Sequence, residues 1–152
     1  MRSRYFSSRS LLKASIVALA LSLAFADKAF AELIVIVNKD NPATAFRAAD
    51  LRRIYNGGKR MFENGVVIQP ANLASDNPLG KDFFISVLHI DAESYRLFWV
   101  RMIFSGKGRP PVEFETEQEA IKFVAANKGG LAFVDSPNAT DAVKTVKIIF
   151  DD

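Results

Sequence analysis

The 152-residue chain contains no cysteine and a single histidine, His89. Without cysteine there is no disulfide, no thiolate metal site and no attachment point for the lipid of bacterial lipoproteins. One histidine cannot build a histidine-rich metal centre, and an all-carboxylate site would need acids gathered from scattered positions. No metal or other cofactor is expected. The glycine patterns of serine hydrolases, phosphate loops and dinucleotide folds are also absent, which removes those common enzyme classes. Long hydrophobic runs are scarce too. The run Ala14 to Phe25 falls short of the roughly 20 residues that span a bilayer.

That run reads as part of an export signal. Arg2, Arg4, Arg9 and Lys13 precede it, and Ala29-Phe30-Ala31 places small residues where a signal peptidase reads them. Cleavage before Glu32 is expected, with Ala24-Phe25-Ala26 as a second candidate site. The domains are then a cleaved signal over 1–31 and one domain over 32–152. Removing the signal turns a formal net charge of +3 into 15 basic against 16 acidic residues. Nucleic acid is therefore not an expected partner. The expected location is the periplasm, or secretion beyond it, with no membrane anchor after cleavage. About 120 residues suit one domain with one core.

Leu33-Ile34-Val35-Ile36-Val37 reads as a strand buried on both faces, as in a parallel sheet covered by helices. Ala43 to Tyr55 reads as a helix with Phe46, Leu51, Ile54 and Tyr55 inward, ended by Asn56-Gly57-Gly58. Glu63-Asn64-Gly65, between Met61-Phe62 and Val66-Val67-Ile68, predicts a hairpin whose second arm runs on to Asn72. Asp76 or Asn77 caps a helix with Pro78 in its first turn, burying Leu79, Phe83, Phe84, Val87 and Leu88. Asp91 caps another, with a stripe at Tyr95, Phe98, Trp99, Met102 and Ile103. Thr116 and Glu119 form a capping box for a helix through Asn127. Leu131 to Val134 and Val143 to Phe150 are the last strands. This alternation predicts an α/β domain with a mixed or mostly parallel sheet flanked by helices.

Few residues suggest chemistry. His89 falls between two helices, where a capping role explains it without catalysis. Glu113, Glu115, Glu117 and Glu119 cluster in sequence, but the last two complement a helix dipole. Arg52, Arg53, Lys59 and Arg60 form the densest basic group, a candidate surface for an anion or a partner protein. Arg101, Lys107 and Arg109 form a second group beside a glycine-rich turn. The loop from Asn72 to Lys81 is the candidate ligand site: Asn72, Ser75, Asp76, Asn77, Gly80 and Lys81 surround a helix start that could meet an oxyanion. A plain cap at Asp76-Asn77-Pro78 explains the same residues with no ligand.

The helix Ala49-Asp50-Leu51-Arg52-Arg53-Ile54-Tyr55-Asn56-Gly57-Gly58-Lys59 resembles one carried in the second lobe of periplasmic phosphate-binding proteins of ATP-driven transporters. The likeness continues through Asn72 to Phe84, Trp99 to Gly108, and Gly129-Gly130-Leu131-Ala132-Phe133-Val134-Asp135. It implies one lobe of a type II periplasmic binding protein-like fold, and a non-catalytic role. Asp76 matches the family's ligand aspartate, while Pro78, Leu79 and Gly80 stand where the family has Ser-Gly-Thr. The implied function is weak binding of phosphate or a similar oxyanion in connection with a transporter. The alternative is an accessory module docking on an envelope protein.

Overall fold

The computed structural model describes residues 32–150, so the expected signal over 1–31 lies outside the described residues. The elements are β1 (Leu33–Val37), β2 (Ala45–Arg47), α1 (Ala48–Tyr55), β3 (Gln69–Leu73), α2 (Pro78–Phe83), α3 (Ala92–Phe104), β4 (Val112–Phe114), α4 (Glu117–Ala126), β5 (Gly130–Asp135) and β6 (Lys144–Ile149). A π-helical turn over Phe84–Leu88 extends α2, and a 3-10 turn over Ser136–Asn138 follows β5. One six-stranded sheet has the order β2-β6-β1-β5-β3-β4. β1 is antiparallel to both neighbours, and every other pairing is parallel. Five strands thus point one way and β1 alone points back. The sheet is mixed and mostly parallel, as the sequence predicts.

β5 shows how the layers form, because alternate residues of a strand face opposite sides. Phe133 stacks flat on Phe83 at 3.9 Å, and Tyr55 meets Phe83 edge-on at 4.9 Å. α1 and α2 therefore cover the face that Phe133 points to. Gly130, Ala132 and Val134 point the other way, toward α4, whose Ala120, Ile121 and Val124 are buried. A Cβ at Gly130 would come within 2.7 Å of the Val124 Cα, so a glycine is needed for the helix to lie this close. Asn38, just past β1, ties the same layer down. Its Nδ2 donates to the carbonyls of Val124 and Ala125, 3.0 Å each, satisfying the end of α4.

Four expectations change. Ala45–Arg47 is a strand and not the start of a helix, because pairing with Lys147–Ile149 of β6 outweighs local helix propensity. Phe46 is still buried, but from β2. The predicted hairpin is reduced to a turn: Met61 and Val67 form an isolated bridge, Gly65 has φ 81°, and Val66 to Ile68 form no strand. Ile103 is not inward but 52% exposed, because α3 has turned its stripe away from the core by its last turn. α4 stops at Ala126, one residue before the expected end. The capping box is present, with Glu119 N–H donating to Thr116 Oγ1 at 3.3 Å and Thr116 N–H to Glu119 at 3.2 Å.

Candidate functional site

The loop from Leu73 to Pro78 leaves the carboxyl end of β3, where open α/β sheets commonly hold ligands. Asn77 is the cap of α2: its Oδ1 accepts from Leu79 N–H at 2.9 Å and Gly80 N–H at 3.3 Å. Asn77 N–H donates to Ala74 O at 2.9 Å, and Lys81 N–H to Asn77 O at 3.0 Å. Pro78 has no N–H to offer. Gly80 serves packing, since a Cβ there would press on Ala74 O at 3.1 Å. The helix start is thus satisfied by its own chain. Ser75, Asp76 and Lys81 stand exposed beside it. The N–H groups of Ser75 and Asp76, the Ser75 hydroxyl and the Lys81 ammonium find no partner among the described residues.

Asn72 does not join them. It is buried beneath the loop, close to the hydroxyl of Tyr95. That hydroxyl donates to Tyr55 O at 2.7 Å, and Tyr55 in turn donates to Ala71 O at 2.9 Å. Burial pushes the Tyr95 phenol up to about 12 and the Tyr55 phenol well above its usual range. Both are neutral donors that lock β3, α1 and α3 together. Asn72 Oδ1 is enclosed without a partner.

The acids near this end do structural work. Glu117 accepts from Asp135 N–H at 2.7 Å and from Asn138 Nδ2 at 3.1 Å, fastening the end of β5 to the start of α4. Among the described residues no group of three or more histidine or acidic side chains is placed to hold a metal ion.

The basic residues divide. Arg52 Nη1 donates to Val87 O at 3.2 Å, and Arg52 lines a small cleft with His89, the one non-glycine residue with positive φ (56°) among those described. Asp50 lies 3.3 Å from Lys59 and 3.8 Å from Arg53. Arg60 turns elsewhere: Nε donates to Gly57 O at 3.1 Å and Nη2 to Lys107 O at 3.0 Å. It thereby joins Lys107 and Arg109 of the second basic group at a groove of about 740 Å³. The sequence treats these as separate clusters, and no local signal connects them across 47 residues.

No family model matches the chain, and no curated protein sequence matches it either. Solved structures do. An ABC-type phosphate transport receptor from Vibrio cholerae superposes with a TM-score of 0.60 at 15% identity, covering 76% of this chain and 45% of the receptor. PstS from Borrelia burgdorferi gives 0.57 at 13% identity, over 76% of this chain and 46% of its own. The fold is that of one lobe of a type II periplasmic binding protein. The chain thus spans less than half the length of those receptors, and the periplasmic-binding-protein lobe is the likeness this level of identity carries. No helix among the described residues is long and apolar enough to cross a membrane.

Proposed function

We propose that this is a non-catalytic solute-binding protein of the cell envelope, exported by a cleaved signal over 1–31. It takes a small phosphate-like anion weakly at the β3–α2 loop, in connection with a transporter. The observation that carries this reading is the set of unpaired donors at the carboxyl end of β3: two adjacent N–H groups, the Ser75 hydroxyl and the Lys81 ammonium. The shared fold of the phosphate receptors supports it. Asp76 would accept a hydrogen bond from the hydroxyl of a protonated phosphate and repel the dianion, while Asn77 already occupies the N–H groups of Leu79 and Gly80. Weak binding follows, with a dissociation constant on the order of 1 mM.

Isothermal titration with inorganic phosphate tests this. Ser75→Ala and Lys81→Ala should each weaken binding several-fold; absence of heat at millimolar phosphate, with no thermal shift, would end the reading. The export step predicts a purified periplasmic protein whose mass begins at Glu32, and a product retaining Met1 would contradict it.

A second reading, an accessory module docked on an envelope protein, is favoured by the end of α3. Ile103 is 52% and Phe104 89% exposed there, beside Arg101. Phe104→Ser should then release the docked protein in crosslinking, and a protein that runs alone with or without Phe104 would count against this reading.

A further inference from the structure

The groove at the other end of β3 has a chemistry of its own. Gly57, which follows α1 with φ 77°, and Gly108, in the turn before β4, both approach the benzo edge of the Trp99 indole. A Cβ on Gly57 would meet Trp99 Cη2 at 3.2 Å, and one on Gly108 would meet Cζ3 at 3.2 Å. The two glycines let backbone lie against the ring edge. Met102, Pro111 and Phe123 continue the apolar surface, and Val67 and Val112 stand 56% and 46% exposed on its walls.

Four cations line this groove and no acid does: Lys59, Arg60, Lys107 and Arg109. Lys59 is matched by Asp50. The guanidinium of Arg60 is fixed by two carbonyls and faces no carboxylate, and its Nη1 has no partner among the described residues. The charged groups of Lys107 and Arg109 have no partner among those residues either. Three cations are therefore held beside an apolar trough without compensating charge.

We infer that this groove binds an amphiphilic organic anion, a carboxylate or phosphate carried on an alkyl or aryl body. The body would lie on Met102, Pro111 and Phe123, over the Trp99 edge, and the head would meet Arg60, Lys107 and Arg109. Each half of such a ligand answers a different half of the site. A bare inorganic ion would lose hydration against the apolar wall, and a neutral hydrocarbon would leave the cations unmatched. The volume, about 740 Å³, lies within the span of small-ligand clefts. This site lies at the opposite end of β3 from the Ser75–Lys81 loop and stands independently of that loop's ligand.

Trp99 is the chain's one tryptophan, so its emission reports on this groove. The probe is octyl phosphate below its micelle concentration, compared with octanol and inorganic phosphate. Octyl phosphate should give a saturable change in Trp99 emission, at least tenfold tighter than octanol, with no change from inorganic phosphate. The double variant Lys107→Ala/Arg109→Ala, at exposed positions, should weaken it tenfold or more with an unchanged circular-dichroism spectrum. Ser75→Ala and Lys81→Ala should leave it unaltered. Equal affinity for octanol, or an unaffected double variant, would overturn the inference. So would co-sedimentation with phosphatidylglycerol vesicles without a response to monomeric octyl phosphate, since the surface would then serve a membrane.

Discussion

The two ends of β3 are built on opposite plans. At the carboxyl end the helix start is satisfied by its own chain: Asn77 caps α2, Lys81 N–H returns to Asn77 O, and Glu117 fastens Asp135 and Asn138, so that only the donors of Ser75, Asp76 and the Lys81 ammonium stay open. Acids dominate its surroundings, with Asp76 in the loop and Asp135 at the end of β5. At the amino end, three loops converge and leave cations unmatched around an apolar trough. At roughly 3.3 Å per residue, about 20 Å separates Gln69 from Ser75. The lesson is that a helix cap withdraws some of the donors at a strand end, here the N–H groups of Leu79 and Gly80, while a second concavity can hold the stronger unsatisfied charge.

The largest expected effect breaks the packing of the amino end. A Cβ on Gly129 would overlap the Val67 carbonyl oxygen where Gln69 N–H donates to Gly129 O at 2.8 Å. Backbone on both sides leaves nothing flexible to move. Gly129→Ala should therefore cost about 4 kcal/mol or more in urea unfolding, or prevent folding. Gly80→Ala at the carboxyl end presses on Ala74 O more mildly and gains helix propensity, so about 1 kcal/mol is expected. Equal losses would erase the difference between the ends.

Next comes the tyrosine pair between them. A phenol whose pKa is raised by folding keeps its full contribution below pH 10, its unfolded value. Above that the unfolded chain loses its proton first, so stability falls as pH rises from 10 toward about 12 for Tyr95. Two pKa units correspond to about 3 kcal/mol. Tyr95→Phe should flatten this alkaline loss in pH-dependent melting, while lowering stability at neutral pH by leaving Tyr55 O short of a partner. An unchanged alkaline slope would show that the hydroxyl is not enclosed.

A smaller effect isolates the cap. Asn77→Ala should lose about 1 kcal/mol, since both N–H acceptances disappear, and leave Trp99 emission where it was. A shifted emission would mean that the two ends communicate. Smallest of all, Ser75→Ala should change stability by less than about 0.5 kcal/mol, because its exposed hydroxyl holds nothing in the fold.

Much of this was legible in the residues. Leu33–Val37 is a strand with the bounds its apolar run predicts, and Thr116 with Glu119 announces α4. The direction of β1 was not legible: a run of apolar residues says that both faces are covered but not which way the neighbours run. β4 carries no local signal, because Val112-Glu113-Phe114 is a three-residue edge strand between prolines and acids, held by pairing with Ala71–Leu73. Ala45–Arg47 follows the same logic, with partners 102 residues away overriding local preference. Ser75 to Lys81 do follow a strand, as the residues predict, but Asn72 is still inside that strand and buried, because one residue's alternation decides whether it faces a loop or the core. The groove was invisible since its cations come from segments that meet in the fold alone.

Amide shift mapping by two-dimensional NMR tests the contrast between the two ends most directly. Octyl phosphate should move the amides of Gly57 to Arg60 and Lys107 to Arg109, leaving Ser75, Asp76 and Lys81 still. Inorganic phosphate, at far higher concentration, should do the reverse. Shifts from both probes at one common set of residues, or octyl phosphate acting on Ser75 to Lys81, would contradict the account.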